Sequence, residues 1–264
     1  MPAELLSTRL TLPSVTLAAI TSVAHEATAA AICRCLEQVD FAEVLWISDA
    51  PPPRSISDRC RWVAIPRITS RVAYSQVMLS QLGQWITTSH LLCVQWDGFV
   101  LDAAQWSDVF LEYDYIGAPW YHFDDGMSVG NGGFSLRSSK LLAASATISA
   151  DNGQLEDVLI CRTHRQALER EFGLRFAPLA AAQRFSFERG IKGHTFGFHG
   201  AFNLVRMLPA KEAGRFFAAL EPILLSDGEH REILRWALRA GRWQVAAVMA
   251  KRLLHRRARA RRNA

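Results

Sequence analysis

The first hundred residues alternate between short apolar runs and segments with helical spacing. Four apolar runs are typical of buried strands, and they lie at Val15–Ile20, Val44–Asp49, Trp62–Ile65 and His90–Val94. Between them, apolar residues recur every three or four positions, which predicts helices over His25–Val39 and Tyr74–Ile86. This alternation is typical of an α/β fold in which a mostly parallel sheet carries helices on its faces.

The alternation weakens after Gly98. Glycines cluster at Gly130–Gly133 and again near Gly197–Gly200, and a helical pattern covers Leu155–Glu171 between them. From Pro209 onward the sequence is helical in character. We therefore expect one large domain over residues 1–210 and a C-terminal helical extension with a basic tail over residues 211–264.

Composition is that of an ordinary globular protein, with half of the residues hydrophobic and 21% charged. The formal charge of +5 is concentrated at one end, because Lys251–Arg262 contains seven Lys or Arg residues and no acid. Such a tail binds anionic lipid headgroups at a membrane surface or is simply solvated, and the sequence leaves both open. No recognised motif or basic core supports nucleic-acid binding.

Cysteine usage and hydropathy bear on the compartment. The five cysteines are an odd number, and no two of them are separated by the two residues typical of metal sites. This predicts a reducing environment without disulfides. No apolar run approaches the ~18 residues of a membrane span. We expect a cytoplasmic protein, with peripheral contact to the inner face of the membrane if the basic tail binds lipid.

The fourth apolar run ends in Gln95-Trp96-Asp97-Gly98. In open α/β sheets, ligands bind outside the carboxyl ends of the strands, so Asp97 is expected to point into a binding crevice. Alternatively, Asp97 caps a turn, as Asp before Gly often does.

The segment Gly130–Gly133 has three glycines in four positions, which let a backbone approach a ligand closely and expose several N–H donors. Ser138 then begins a predicted helix whose N-terminus favours phosphate or carboxylate. The alternative is a glycine-rich turn before a strand, with Phe134 and Leu136 in the core.

Two further segments carry candidate chemistry. Glu156 and Asp157 lie at a predicted helix start, where a carboxylate acts either as a general base or as an ordinary helix-dipole stabiliser. His199 lies between aromatic residues and glycines, where it is either a structural histidine or a metal ligand. If Asp97 binds a metal, His199 is the best candidate for a second ligand, in a site suited to Mn²⁺ or Mg²⁺.

Several of these segments recur together in a known family. In order, they are Gln95–Gly98, Tyr113–Trp120, Gly130–Ser135, Glu156–Asp157, Arg184–Ser186 and Phe198–Gly200. Together they resemble the family called domain of unknown function 5672, a family of proposed glycosyltransferases. The resemblance spans roughly Val15 to Leu208 and implies a GT-A-like fold, a nucleotide-diphospho-sugar-binding α/β sandwich.

The resemblance also implies roles for individual residues at the donor site. GT-A enzymes bind the metal and the donor through an Asp-x-Asp motif at the end of a central strand, and here Gln95 takes the place of the first acid and leaves Asp97. A late histidine often completes the metal site, which corresponds to His199. The glycine-rich segment resembles the part that contacts the donor sugar, which corresponds to Asn131, Gly132 and Gly133.

Two roles remain, a base, which the resemblance assigns, and a positive charge, which follows from the electrostatics of the leaving diphosphate. Asp157 corresponds to the acceptor-side base of inverting members, with Glu156 less favoured. Arg137 or Arg184 would supply positive charge to the leaving diphosphate if no metal does.

The expected function is transfer of a sugar from a nucleotide-diphospho-sugar donor to a hydroxyl of a glycan or lipid-linked acceptor, in cell-surface polysaccharide synthesis. Inversion is favoured because a candidate base exists. The alternative is a non-catalytic nucleotide-sugar or glycan-binding module of the same fold, which Gln95 favours because it leaves the metal site with a single carboxylate.

Overall fold

The computed structural model describes residues 9–150, 153–189 and 194–262, with side chains described as far as residue 256. The chain divides into two compact units, residues 1–199 and 200–264. We had placed the boundary at residue 210, so the helical segment that follows Gly200 falls in the second unit and not in the first. The separate roles of the two predicted domains stay a prediction.

The first unit contains two sheets. In the described residues the strands are β1 Leu10–Thr21, β2 Val39–Ser48, β3 Arg61–Ala64, β4 His90–Val94, β5 Phe99–Val100, β6 Tyr115–Ile116, β7 Phe134–Ser138, β8 Ser186–Phe187 and β9 Gly197–Phe198. The main sheet has the order β3-β2-β1-β4-β7-β6, and the small sheet has the order β5-β9-β8. Strands β3, β2, β1 and β4 run parallel, whereas β7 is antiparallel to both of its neighbours. The predicted α/β class with a mostly parallel sheet is confirmed.

Helices flank the sheet in the first unit and make up most of the second. The α-helices are α1 His25–Gln38, α2 Arg71–Gln76, α3 Ser139–Ser145, α4 Glu156–Val158, α5 Arg165–Phe172, α6 Leu179–Phe185, α7 Ala201–Met207, α8 Ala210–Ala219, α9 Asp227–Arg239 and α10 Trp243–Arg262. Single π-helical turns extend α2 over Val77–Gln81 and α4 over Leu159–Thr163, and short 3₁₀ segments lie at Leu82–Gln84, Ala103–Gln105, Asp108–Glu112 and Pro222–Leu224.

Strand β4 is the inner strand that positions the site. All five of its residues are buried, and it pairs with β1 on one side and β7 on the other. Met78 and Leu82, in the helical turns that follow α2, pack with Leu91 and Cys93 of β4 in one core cluster. The hydrophobic effect thus fixes β4 in the sheet and leaves the residues after Val94 at the carboxyl end of this inner strand.

The second unit is helical. Helix α9 begins with a capping box, in which the Ser226 hydroxyl accepts from the Glu229 N–H and the Glu229 carboxylate accepts from the Ser226 N–H. Arg252 donates to the carbonyl of Leu220, and Arg256 forms a 2.7 Å ion pair with Asp227. Across the described ranges, no helix is both long and apolar enough to cross a membrane.

Candidate functional site

The small sheet brings three distant parts of the chain together. Strands β5 and β9 pair antiparallel with Phe99 opposite Phe198, so the residues just before Phe99 lie beside the residue just after Phe198. Strands β8 and β9 pair parallel with Phe187 opposite Phe198, so Glu188 lies beside His199. The register alone therefore places Asp97, Glu188 and His199 in one cluster.

His199 is the centre of this cluster. Its Nε2 lies 3.2 Å from Asp97 Oδ1, and its Nδ1 lies 3.6 Å from Glu188 Oε1. Burial disfavours the charged imidazole, but the negative charges of Asp97 and Glu188 outweigh burial and raise the pKa of His199 well above its ordinary value. The two carboxylates thus flank and stabilise a charged imidazole.

Gln95 joins the cluster from the other side. Its Oε1 lies 3.3 Å from His199 Nε2, and its Nε2 donates to the Tyr74 hydroxyl at 2.8 Å. The Gly98 N–H donates to the Gln95 carbonyl, which closes a tight turn after β4. A turn therefore follows β4 and carries Asp97 to His199. That Asp97 meets a ligand in a crevice stays a prediction.

The glycine segment is packed against this cluster. A Cβ on Gly133 would lie 2.0 Å from His199 Nε2, and a Cβ on Gly132 would lie 2.1 Å from Glu156 Oε1. These glycines are therefore needed for packing inside the protein, whatever they do for a ligand. The interpretation as a turn before a strand is confirmed, because Phe134 and Leu136 are buried in β7.

Replacing Gly133 by Ala is expected to displace the His199 ring, since the added methyl group would overlap it. We expect a loss of ~1–3 kcal/mol in the free energy of unfolding and a larger proportional loss of ligand binding. Urea denaturation and a binding titration measure the two effects. Gly228→Ala is the control, because a Cβ there meets only Ser226 Oγ at 3.8 Å and the backbone is helical.

Arg137 and Glu156 form a buried ion pair beneath the glycine segment. Arg137 Nη2 donates to Glu156 Oε1 at 3.0 Å, and Arg137 Nε donates to Ser135 Oγ at 3.0 Å. The Arg137 side chain is fully buried and that of Glu156 is 5% exposed. Arg137 was expected to contact the donor and Glu156 was a candidate base. In the structure each is instead the internal partner of the other, because a buried charge must be paired.

Asp157 differs from its neighbour. It is partly exposed, and its Oδ2 accepts from the Gly132 N–H at 3.0 Å. Its Oδ1 accepts from the Val158 N–H at 2.8 Å. The preference for Asp157 over Glu156 as an accessible carboxylate therefore agrees with the geometry, while its role as a base stays a prediction.

The predicted anion site at the start of the helix after Ser138 is wrong in position. Ser138 does cap α3, since its hydroxyl accepts from the Leu141 N–H. However, β7 runs antiparallel to β4, with Phe134 opposite Val94 and Ser138 opposite His90. Helix α3 therefore begins at the end of β4 away from Asp97.

Two further predicted donor residues have different surroundings. Asn131 is buried in a left-handed conformation with φ of 65°, and its side-chain oxygen accepts no hydrogen bond from the part of the chain that the structure describes. Arg184 lies exposed on α6. Asn131 thus lies beside the site, whereas the role of Arg184 stays a prediction.

The surroundings of Asp97 fit a divalent cation. Asp97 Oδ1 is buried and accepts no hydrogen bond among the described residues, although it faces His199 Nε2. Neighbouring ligands of an octahedral cation with bonds of about 2.1 Å are separated by about 3 Å, close to the 3.2 and 3.3 Å from His199 Nε2 to Asp97 and Gln95. No group of three His, Cys, Asp or Glu side chains in the described ranges could hold a metal, so a cation site here is a proposal in which the Gln95 amide oxygen would be the third ligand.

Sequence reasoning missed Glu188 and Tyr74. Glu188 follows a two-residue strand whose pairing with β9 cannot be read from local patterns. Burial disfavours its charged form, yet the adjacent imidazole of His199 lowers the pKa of Glu188. Tyr74 is only the first residue of a predicted helix in the sequence analysis, whereas in the structure its hydroxyl accepts from Gln95 and burial raises its pKa well above the ordinary value.

Comparisons with known proteins identify a family and a number of solved structures that this chain resembles, among them the following two. The structure resembles galactosyltransferase LgtC in complex with donor and acceptor sugar analogues, with a TM-score of 0.41 and 10% identity over 70% of this chain and 86% of that chain. It also resembles mannosyltransferase PcManGT from Pyrobaculum calidifontis in complex with GDP-Man and Mn²⁺, with a TM-score of 0.46 and 12% identity over 95% of this chain and 78% of that chain. The sequence matches no curated protein significantly. The family model described as "Protein of unknown function (DUF5672)" matches residues 59–199, more than half of the sequence, and the chain belongs to that family.

Proposed function

We propose that the protein is a glycosyltransferase that moves a sugar from a nucleotide-diphospho-sugar to a hydroxyl of a glycan or lipid-linked acceptor. One observation carries this proposal: the turn after β4 places Asp97 against His199, beside Gln95 and Gly133. A negatively charged cluster at the carboxyl end of a central strand suits a ligand that brings cation and diphosphate together.

Asp97, His199 and the amide oxygen of Gln95 are the residues that would hold Mn²⁺ or Mg²⁺. The chemistry that such a cation supplies when bound is neutralisation of the charge that develops on the departing diphosphate. Protonation of His199 and cation binding compete for the same cluster, because an imidazolium cannot act as a ligand. Glu188 orients the ring by facing Nδ1, which leaves Nε2 directed toward Asp97.

Asp157 is the proposed general base. It would take the proton from the acceptor hydroxyl while that oxygen attacks the anomeric carbon and the bond from that carbon to the diphosphate oxygen breaks. The products are a new glycosidic bond, a nucleoside diphosphate and a protonated Asp157. A single displacement of this kind inverts the anomeric configuration, which is why we favour inversion.

The test is turnover of a panel of nucleotide-diphospho-sugars with Mn²⁺, with Mg²⁺ and with a chelator. Release of nucleoside diphosphate from at least one donor supports the proposal, and its loss with chelator supports the cation site. Donor binding without release under any condition would favour the non-catalytic binding module. Absence of both binding and release across the panel would overturn the proposal.

Replacing Asp157 by Asn is expected to lower kcat by about a hundredfold and to leave the donor dissociation constant nearly unchanged, because the base acts on the acceptor and not on the donor. Asn retains one oxygen, which can accept from the Gly132 N–H, but it loses the acceptor for the Val158 N–H, so circular dichroism is needed to verify the fold. Steady-state kinetics and donor titration separate the two quantities. An unchanged kcat would remove Asp157 from the mechanism, and a retained anomeric configuration of the product would exclude single displacement.

A further inference from the structure

Helix α10 presents large apolar side chains to solvent. Trp243 is 69% exposed and Leu254 is 65% exposed. They lie about three turns apart on one side of the helix, with exposed Ala247 between them, while Val245 and Met249 are buried on the other side. We call Trp243, Ala247 and Leu254 the outer face of α10. Exposed apolar residues on this scale mark a surface that meets a partner.

Exposed cations lie on α9, the helix that packs against α10. Arg231, Arg235 and Arg239 recur every four residues on α9, and all three are exposed. Leu238 is 49% exposed beside Arg239. The turn between the two helices is tight. Gly241 has φ of 65°, and the Arg242 N–H donates to the Ala237 carbonyl in the last turn of α9.

The basic residues of this unit fall into two groups. Arg252 and Arg256 are engaged internally, with the Leu220 carbonyl and with Asp227, and so stabilise the fold. Lys251 and the α9 arginines are exposed. From Gly200 on, the sequence contains fourteen Lys or Arg residues and five Asp or Glu residues. Four of those arginines follow Arg256 and lie beyond the described side chains.

An apolar helix face together with exposed cations is complementary to an anionic lipid surface. Lys and Arg bind the headgroups, while Trp and Leu enter the boundary between headgroups and acyl chains. A nucleic acid would satisfy the cations and leave the aliphatic side chains in water. We propose that the second unit docks on anionic lipid surfaces through the outer face of α10 and the exposed arginines of α9. This inference does not depend on the proposed transferase activity.

The test is co-flotation of the full chain with vesicles. The probe is an equimolar mixture of phosphatidylcholine and phosphatidylglycerol, compared with phosphatidylcholine alone. We expect binding to the anionic vesicles only, and weakening by salt. Trp243→Ser/Leu254→Ser is expected to lower the partition coefficient by on the order of tenfold. Arg235→Gln/Arg239→Gln is expected to lower it by about tenfold as well.

Matched controls come from exposed residues of the first unit. Val72→Ser/Val109→Ser removes exposed apolar side chains, and Arg54→Gln/Arg170→Gln removes exposed cations. Both should leave partitioning unchanged, and circular dichroism verifies that every variant folds. Failure of the full chain to bind anionic vesicles overturns the proposal. Vesicle binding that is unchanged in Trp243→Ser/Leu254→Ser also overturns the proposal. If that variant binds an RNA as well as the unsubstituted protein does, the surface would be assigned to nucleic acid.

Discussion

Replacing Asp97 by Ala is expected to lower kcat/KM for donor turnover by on the order of a thousandfold and to weaken Mn²⁺ binding. The reason is that Asp97 is the single carboxylate that the turn after β4 delivers to His199 Nε2. Its loss leaves a cation with imidazole and amide ligands and with less compensating charge. Electron paramagnetic resonance of Mn²⁺ measures binding independently of activity.

The matched control is Asp102→Asn, a carboxylate on the same segment that accepts from the Ala104 N–H and does not contact His199. It should leave both turnover and Mn²⁺ binding intact. Full turnover by Asp97→Ala would remove Asp97 from the site. Unchanged Mn²⁺ binding together with lost turnover would place Asp97 on the donor and not on the metal.

Glu188→Gln tests whether the carboxylate that faces His199 Nδ1 affects metal binding at His199 Nε2. The amide can still face His199 Nδ1, but it no longer contributes negative charge to the cluster. We therefore expect a moderate loss of Mn²⁺ affinity, ~10–100-fold, which is the usual consequence of changing a residue that orients a metal ligand. No loss of affinity would show that Glu188 has no part in tuning the histidine.

The parallel sheet and the position of Asp97 could be predicted because both depend on local patterns. Apolar runs such as His90–Val94 predict buried strands, and a carboxylate that follows such a strand lies at the sheet edge. The contact between Asp97 and His199 depends instead on the pairing of two-residue strands far apart in sequence. No periodicity marks such short strands, so Glu188 was not found.

The burial of Arg137 could not be predicted for a different reason. Charged residues are almost never fully buried unless paired, and the pairing of Arg137 with Glu156 joins β7 to α4 across an intervening segment. A glycine-rich loop predicts close approach of a ligand. In the structure the glycines also allow internal packing, because a Cβ on Gly132 would overlap Glu156 and a Cβ on Gly133 would overlap His199. In the structure, Asp97, Gln95 and His199 from the segments that carry the family resemblance lie together, whereas Arg137 and Glu156 form an internal ion pair.

Replacing Glu156 by Leu is expected to cost about 3–5 kcal/mol in the free energy of unfolding, the largest effect on stability among these variants. The substitution leaves the Arg137 guanidinium buried with the Ser135 hydroxyl and the Tyr115 ring as its remaining partners. Urea denaturation measures the loss. The control is Glu171→Leu, which breaks the exposed pair with Arg170 and should change stability little, because both side chains are largely in water.

The double variant Arg137→Met/Glu156→Leu distinguishes support of the fold from support of the site. Removing both charges relieves the unpaired guanidinium, so most of the stability should return. Activity should not return with it, because Gly132 rests on Glu156 Oε1 and its N–H holds the Asp157 carboxylate. A stable double variant with kcat lowered and donor binding little changed identifies the ion pair as a positioning element for Asp157. Full recovery of both stability and kcat would show that the ion pair supports only the fold. If the double variant is no more stable than Glu156→Leu, then lost packing, and not the unpaired charge, caused the loss of stability in Glu156→Leu.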